Sequence, residues 1–218
     1  MSDPHYIIRN YQPSDFDSFV QLRTEAARLT PGKGYLSPQV IRESVERPNY
    51  SPEQELFLAE MSKSVVGYMD VTAETRIGRV VLDCFIQPEH RRQGLARRLL
   101  DHAQQRAKEL GAKVAHVNIL ENNTAAQKAL ARLSFRSIRR SHELRLAPNE
   151  ATIRQGSSSF PIRHLQPGEE DKLTHIQNRS FAGSWGYNPN TIEEISYKIN
   201  SSTRSPEDVV LASDRDNL

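Results

Sequence analysis

The 218-residue chain predicts an α/β fold built on a mixed sheet, followed by the start of a second copy of that fold. Three observations carry this. Strands joined by hairpins give way to one strand–helix–strand crossover, an order that puts antiparallel and parallel pairs into one sheet. The stretch YIIRNYQPSDFDSFVQL from Tyr6 recurs as FPIRHLQPGEEDKLTHI from Phe160. Ile8 matches Ile162, Arg9 matches Arg163, Gln12-Pro13 match Gln166-Pro167 and Asp17 matches Asp171, all 154 positions apart. The same offset lays Ser51-Pro52-Glu53 on Ser205-Pro206-Glu207, each just ahead of an apolar strand candidate.

The repeat divides the chain into a whole unit over residues 1–147, a linker over 148–159 and the incomplete N-terminal part of a second unit over 160–218. The linker, PNEATIRQGSSS, cannot bury apolar surface and carries a flexible Gly-Ser run.

Within the first unit the predicted order is β-α-α-β-β-β-α-β-α-β. Tyr6–Arg9 reads as a strand. Ser14 is the expected N-cap of a helix from Asp15 to Arg28 with Phe16, Phe19 and Val20 inward. A short helix fits Ser37–Val45. Leu56–Met61 and Val65–Thr72 form a hairpin about Ser62-Lys63-Ser64, and Val80–Gln87 is the next strand. Leu95, Leu99, Ala103, Ala107 and Leu110 recur at helical spacing, and Gly111 ends that helix. Val114–Leu120 (strand), Thr124–Leu133 (helix) and Phe135–Leu146 (strand) complete the unit.

Composition narrows the function. At 37% hydrophobic and 26% charged residues, the chain can bury a core of ordinary domain size. No apolar run reaches the roughly 18–20 residues of a membrane span, and Met-Ser-Asp-Pro-His lacks the features of a signal peptide. The expected location is the cytoplasm. Lys and Arg exceed Asp and Glu by 29 to 27, too little to argue for nucleic acid, and the single cysteine, Cys84, excludes an internal disulfide. Cys84 lies in an apolar strand and reads as a small buried hydrophobe. The seven histidines show no paired ligand spacing, so no metal site is expected.

The segment Gln87-Pro88-Glu89-His90-Arg91-Arg92-Gln93-Gly94-Leu95-Ala96 joins a strand to an amphipathic helix, where free backbone amides and the helix dipole favour an anion. Gly94 permits close backbone approach, and Ala96 lets the helix begin without a bulky side chain in the way. Arg91, Arg92, Arg97 and Arg98 against Glu89 give a local charge of +3. With one glycine, the loop matches neither the dinucleotide fingerprint nor the nucleotide-hydrolase phosphate loop.

Arg91-x-x-Gly94-x-Ala96 resembles the R/Q-x-x-G-x-G/A motif of the GCN5-related N-acetyltransferases (GNAT). Asn123-Thr124-Ala125-Ala126 through Leu133-Ser134-Phe135 resembles that family's N-x-x-A helix ending in G-F. The resemblance covers the first unit, implies the GNAT-like acyl-CoA N-acyltransferase fold, and implies acetyl-CoA as co-substrate. The tandem arrangement further resembles the two-domain acetyltransferases typified by mycothiol synthase.

Carried onto this sequence, the resemblance implies that the amides of Arg92, Gln93, Gly94, Leu95 and Ala96 hold the pyrophosphate, with Arg91 and Arg97 adding charge. Phe85 and Ile86 would offer backbone groups to the pantetheine arm. A backbone amide there could polarise the thioester carbonyl. Asn123 would contact that arm or order its loop, and Ala126 would leave it room. Two positions depart from the pattern: Leu130 stands where the family commonly has a proton-donating tyrosine, and Ser134 where it has a glycine. For the proton leaving the acceptor, Asp83 and Glu121 are the candidate bases, with His116 and, more weakly, Glu60 behind them.

The implied activity is transfer of acetyl from acetyl-CoA to a primary amine of a small molecule or peptide, by direct attack in a ternary complex. The alternative is a degenerate CoA-binding or scaffolding domain of a tandem acetyltransferase without turnover of its own. Neither membrane nor nucleic acid is an expected partner. The open sheet edge of the second unit is expected to be covered in a homodimer or by docking on the first unit.

Overall fold

A computed structural model describes residues 5–31, 34–144, 146–147 and 160–212. Five strands form the main sheet in the order β1 (Tyr6–Asn10), β2 (Leu56–Met61), β3 (Ser64–Glu74), β4 (Arg79–Ile86) and β5 (Val114–Val117). The first three pairings are antiparallel and the last is parallel, the mixed sheet that the element order demands. Ser62 and Lys63 take left-handed φ values of 50° and 68° to close the β2–β3 hairpin, which suits the twist of the strands it joins.

Alternation along the strands sorts the core into two layers. Phe57, Ala59, Val71, Val80 and Leu82 face α4 (Leu95–Glu109), which buries Leu95, Leu99, Leu100 and Ala103 against them. Each of those leucines contributes about 2 kcal/mol by leaving water. On the other face, Leu56, Leu58, Tyr68 and Phe85 pack on Phe19 and Leu22 of α1 (Phe16–Arg28) and on Ile41 and Val45 of α2 (Pro38–Glu46). A single turn, α3 (Pro52–Glu55), leads into β2.

Ser37 caps α2 by accepting the Val40 amide at 3.2 Å, whereas Ser14 does not cap α1. Pro13–Asp15 instead form a 3-10 turn closed by Asp15, whose Oδ2 accepts the Gln12 amide at 2.8 Å and pairs with Arg9 at 2.7 Å. An ionised carboxylate with a guanidinium partner makes the stronger hydrogen bond, and it sets the turn that leads into α1.

Beyond α4 the chain departs from expectation. β5 ends at Val117, short of Leu120, and α5 spans Thr124–Arg132. The strand expected over Phe135–Leu146 is not formed: residues 135–144 have no regular structure. Arg136, Arg139 and Arg140 are exposed there and only Phe135 packs inward, so the segment has no apolar alternation to bury.

The linker expected over 148–159 lies outside the described residues. After it come β6 (Ile162–His164), α6 (Glu170–Ser180), α7 (Ile192–Ile199) and β7 (Val210–Ala212). β6 and β7 pair antiparallel, and Leu165, Leu173, Ile195, Ile199 and Leu211 form a core of their own. Arg163 binds Glu169 at 2.6 Å, and the Gln166 amide donates to Glu169 at 3.0 Å. Each of these positions lies 154 places after its counterpart in the Arg9, Gln12 and Asp15 arrangement.

These elements sit against the α1/α2 face of the main sheet. Arg76 donates to the Pro189 carbonyl at 2.6 Å and Arg79 to that of Gly186 at 2.7 Å. Trp185 stacks on His116 at 5.7 Å, with the Arg139 guanidinium 4.7 Å from the Trp185 ring. The Tyr197 hydroxyl donates to the Glu43 carbonyl at 2.8 Å, tying α7 to α2.

Candidate functional site

Leu82 and Val117 are the last paired residues of β4 and β5. Past them β4 runs on through Asp83, Cys84, Phe85 and Ile86 with β3 alone beside it. The Gln87 amide donates to the Val66 carbonyl at 3.0 Å, which fixes the phase of the β3–β4 ladder. Residues 83, 85 and 87 therefore turn their backbone groups to β3, and those of Cys84 and Ile86 point to the side that β5 has left. Of the two residues expected to offer backbone groups, Ile86 turns its amide to that open side, whereas the peptide groups of Phe85 face Tyr68; Cys84 faces the open side in its stead.

The reading of Cys84 as a small buried hydrophobe holds only in part: the residue is accessible at the surface, yet its thiol is crowded enough that burial pushes its pKa up to about 12.

At the end of β4, Pro88–His90 make a 3-10 turn, and Arg92 and Gly94 both adopt positive φ, at 62° and 77°. Two left-handed residues flanking Gln93 bend the chain so that α4 starts at Leu95. Among the described residues, no hydrogen bond engages the amides of Arg92, Gln93, Gly94, Leu95 or Ala96. A Cβ on Gly94 would meet nothing within 4 Å. The glycine is thus required by its dihedral angle and borders open space. Five donors and the positive end of a 15-residue helix converge there.

The arginines divide by role. Arg91 folds back, its Nε donating to the Ile86 carbonyl at 2.9 Å, and Arg98 donates to the Tyr6 carbonyl at 2.8 Å. Arg92 and Arg97 are exposed and carry no ion pair among the described residues.

Asn123 caps α5, its Oδ1 accepting the Ala126 amide at 3.0 Å, so its observed role is to order the loop. Ala126 and Leu130 are half-buried, and Ser134 takes φ 68° where the motif has glycine.

On the α1/α2 face, just past the point of divergence, Asp83 Oδ2 accepts from Arg23 Nη1 at 2.5 Å and from the Tyr68 hydroxyl at 3.2 Å. Its register partner on β3 is Asp70, which accepts from the Tyr50 hydroxyl at 2.9 Å and lies 3.6 Å from Arg47. Burial pushes the Asp70 carboxyl above the usual carboxylate range, against the pull of Arg47 and the Tyr50 hydroxyl. Sequence reasoning missed Arg23, Tyr68 and Asp70. An aspartate inside the apolar run Gly67-Tyr68-Met69-Asp70-Val71 was the available signal.

The other candidate bases lie elsewhere. Glu121 sits in an exposed turn, paired with Arg140 at 3.2 Å. Glu60 is held by Arg9 at 2.8 Å. His116 is stacked on Trp185, and burial, reinforced by the Arg79 charge, lowers its pKa. Among the described residues no cluster of side chains could hold a metal ion, and no helix is long and apolar enough to cross a membrane.

Residues 21–145 match the family model described as an acetyltransferase (GNAT) domain. The chain belongs to the GNAT acetyltransferase family. The mixed sheet is this family's acyl-CoA N-acyltransferase fold, and acetyl-CoA is the co-substrate of such a domain. A GCN5-related N-acetyltransferase from Sphaerobacter thermophilus aligns over 97% of this GNAT chain and 68% of its own, at 20% identity and a TM-score of 0.67. The aminoglycoside N-acetyltransferase AAC(6')-Iy, in complex with the bisubstrate analogue CoA-S-monomethyl-acetylneamine, aligns over 66% of this chain and 99% of its own, at 22% and 0.53. An N-acetyltransferase from Staphylococcus aureus Mu50 covers 60% of this chain and 83% of its own, at 18% and 0.52. At these identities the likeness establishes the fold. No curated protein matches the chain by sequence.

Proposed function

We propose that this GNAT domain transfers the acetyl group of acetyl-CoA to a primary amine of a small molecule or peptide, by direct attack within a ternary complex. The observation that carries the proposal is the departure of β5 from β4 after Leu82, beside a loop whose five successive amides have no hydrogen-bond partner among the described residues. In this reading the amides of residues 92–96 hold the diphosphate of acetyl-CoA, with Arg92 and Arg97 as counter-charges. The backbone of Cys84 and Ile86 pairs with the pantetheine arm.

Asp83 is the base. It lies one residue past the point of divergence and is half exposed, although paired with Arg23, whereas Glu121 sits in the turn before α5 and Glu60 on β2, neither of them next to that point. The amine nitrogen, once its proton has passed to the Asp83 carboxylate, forms a bond to the thioester carbon. The carbon–sulfur bond breaks and CoA leaves as thiolate; the second proton, lost by the acylated nitrogen, reaches that thiolate through water, because Leu130 has none to give. Calorimetric titration with acetyl-CoA, followed by a thiol-release assay over a panel of primary amines, tests the reading. Binding with turnover of an amine supports it, and binding without turnover of any amine contradicts it.

We also read residues 160–218 as the opening part of a second GNAT unit, joined to residues 1–147 by a linker over 148–159. Four features support this: the offset of 154, the order β-α-α-β, the recurring Arg163–Glu169 pair, and an alignment to the Sphaerobacter protein that runs through both parts of the chain.

A further inference from the structure

The hydrogen bonds around Asp83 are lopsided. Oδ2 accepts both from Arg23 and from Tyr68, and Arg23 Nη1 also donates to the Tyr68 oxygen at 3.2 Å, closing a triangle. Among the described residues no hydrogen bond reaches Oδ1. The carboxylate is 49% exposed, so its open oxygen is accessible where β4 has lost its neighbour.

The two donors are held rigidly. Tyr68 is 2% exposed, with its ring edge-on to Phe19 at 5.2 Å and tilted on Phe85 at 6.3 Å. Burial, reinforced by the Asp83 charge, pushes its hydroxyl far above the usual tyrosine range, so it remains a donor. The Arg23 guanidinium lies 5.6 Å from the Tyr68 ring and 5.9 Å from that of Phe19. Its Nε is buried without a hydrogen-bond partner. Leaving a guanidinium N–H unpaired is costly, and what the side chain gains in this pose is the contact with Asp83. Asp70, the other carboxyl facing this cluster, has its own donors in Tyr50 and Arg47. Arg23 is thereby left to balance Asp83.

We infer that Arg23 and Tyr68 are positioning residues which pin Oδ2 of Asp83 and so present Oδ1 to the ammonium of the acceptor. This rests on Asp83 being the base. A freely rotating carboxylate would spread its proton-accepting oxygen over many directions; one clamped on one oxygen has its other aimed before the acceptor arrives.

The test compares Asp83→Asn, Tyr68→Phe, Arg23→Gln and Arg23→Lys, using whichever primary amine the wild type turns over fastest among alkylamines, polyamines, amino sugars and short peptides. Tyr68→Phe keeps the ring packing and loses only the hydroxyl. We expect kcat to fall about tenfold or more in Tyr68→Phe and Arg23→Gln, with an unchanged KM for acetyl-CoA, and to recover to within about threefold in Arg23→Lys. Wild-type kcat in Tyr68→Phe and Arg23→Gln, with Asp83→Asn inactive, would overturn the positioning role and leave the base in place. An active Asp83→Asn, or a wild type that acetylates no amine of the panel, would overturn the base assignment and the inference with it. Calorimetric affinity for CoA in each variant shows that its fold is retained, and the conservative Tyr68→Phe decides the matter if Arg23→Gln does not fold.

Discussion

Leu82 and Val117 are the final register partners between two parallel strands that separate immediately beyond them. The separation frees the backbone of Cys84 and Ile86 on one side and places Asp83 at the rim. An opening between parallel strands is costly in unmade ladder bonds, and here it lies next to the unengaged amides that begin α4. In the reading proposed above, the two features take the two ends of one long ligand, the diphosphate at the amides and the arm at the strand.

Gly94→Glu is predicted to abolish binding of CoA, since it sets a negative side chain into the open space beside those amides. Gly94→Ala separates charge from strain. At φ 77° with nothing near its Cβ, alanine costs stability of about 1 kcal/mol yet binds CoA far better than the glutamate variant does. Calorimetry with CoA and thermal unfolding distinguish the two effects.

Leu130→Tyr is predicted to leave turnover intact or raise it, with a change in stability under about 1 kcal/mol. Leu130 is only half-buried on α5, a helix with no fully buried residue, so a larger side chain has room. Steady-state kinetics with melting curves check this, and a large loss of stability would show that the position belongs to the core.

Gly186→Ala is predicted to loosen residues 160–212 from the main sheet. A Cβ there would lie 2.6 Å from Nη1 of Arg79, at φ 70°. The left-handed φ strains alanine, and moving the Arg79 guanidinium aside disturbs its bonds to Glu74 and to the Gly186 carbonyl. The cost is about 2 kcal/mol, read out by urea unfolding and by faster proteolysis after residue 160.

Acid is predicted to weaken the packing of residues 160–212 through Glu169. Arg163, with Lys172 and the Gln166 amide, holds this carboxyl down at about 2, against an ordinary 4.5. Between those values the unfolded chain binds the extra proton, so stability rises with pH there. The contribution of Glu169 is therefore complete above about pH 4.5 and drains away as the pH falls towards 2. The Tm advantage of wild type over Glu169→Gln is expected to be constant from pH 7 to 5 and to shrink below that.

Much of this was legible in the sequence because it is local. The leucine spacing of α4, the turn at Ser62-Lys63 and the strand-to-helix loop each depend on neighbours a few positions away. What escaped depends on partners far along the chain. β5 stops at Val117 although Val114–Leu120 is apolar enough to continue, because strand length there is set by where β4 and β5 part. Arg23, Tyr68 and Asp83 come from three separate elements, brought together by the β3–β4 register and by the packing of α1 on that face.

The most direct test of the central claim is a crystal structure of the chain with acetyl-CoA at saturating concentration. The diphosphate is expected within hydrogen-bonding distance of the amides of residues 92–96, with the pantetheine arm against the backbone of Cys84 and Ile86. A diphosphate bound elsewhere, or those amides turned to protein partners while the ligand is absent from the cleft, would contradict it.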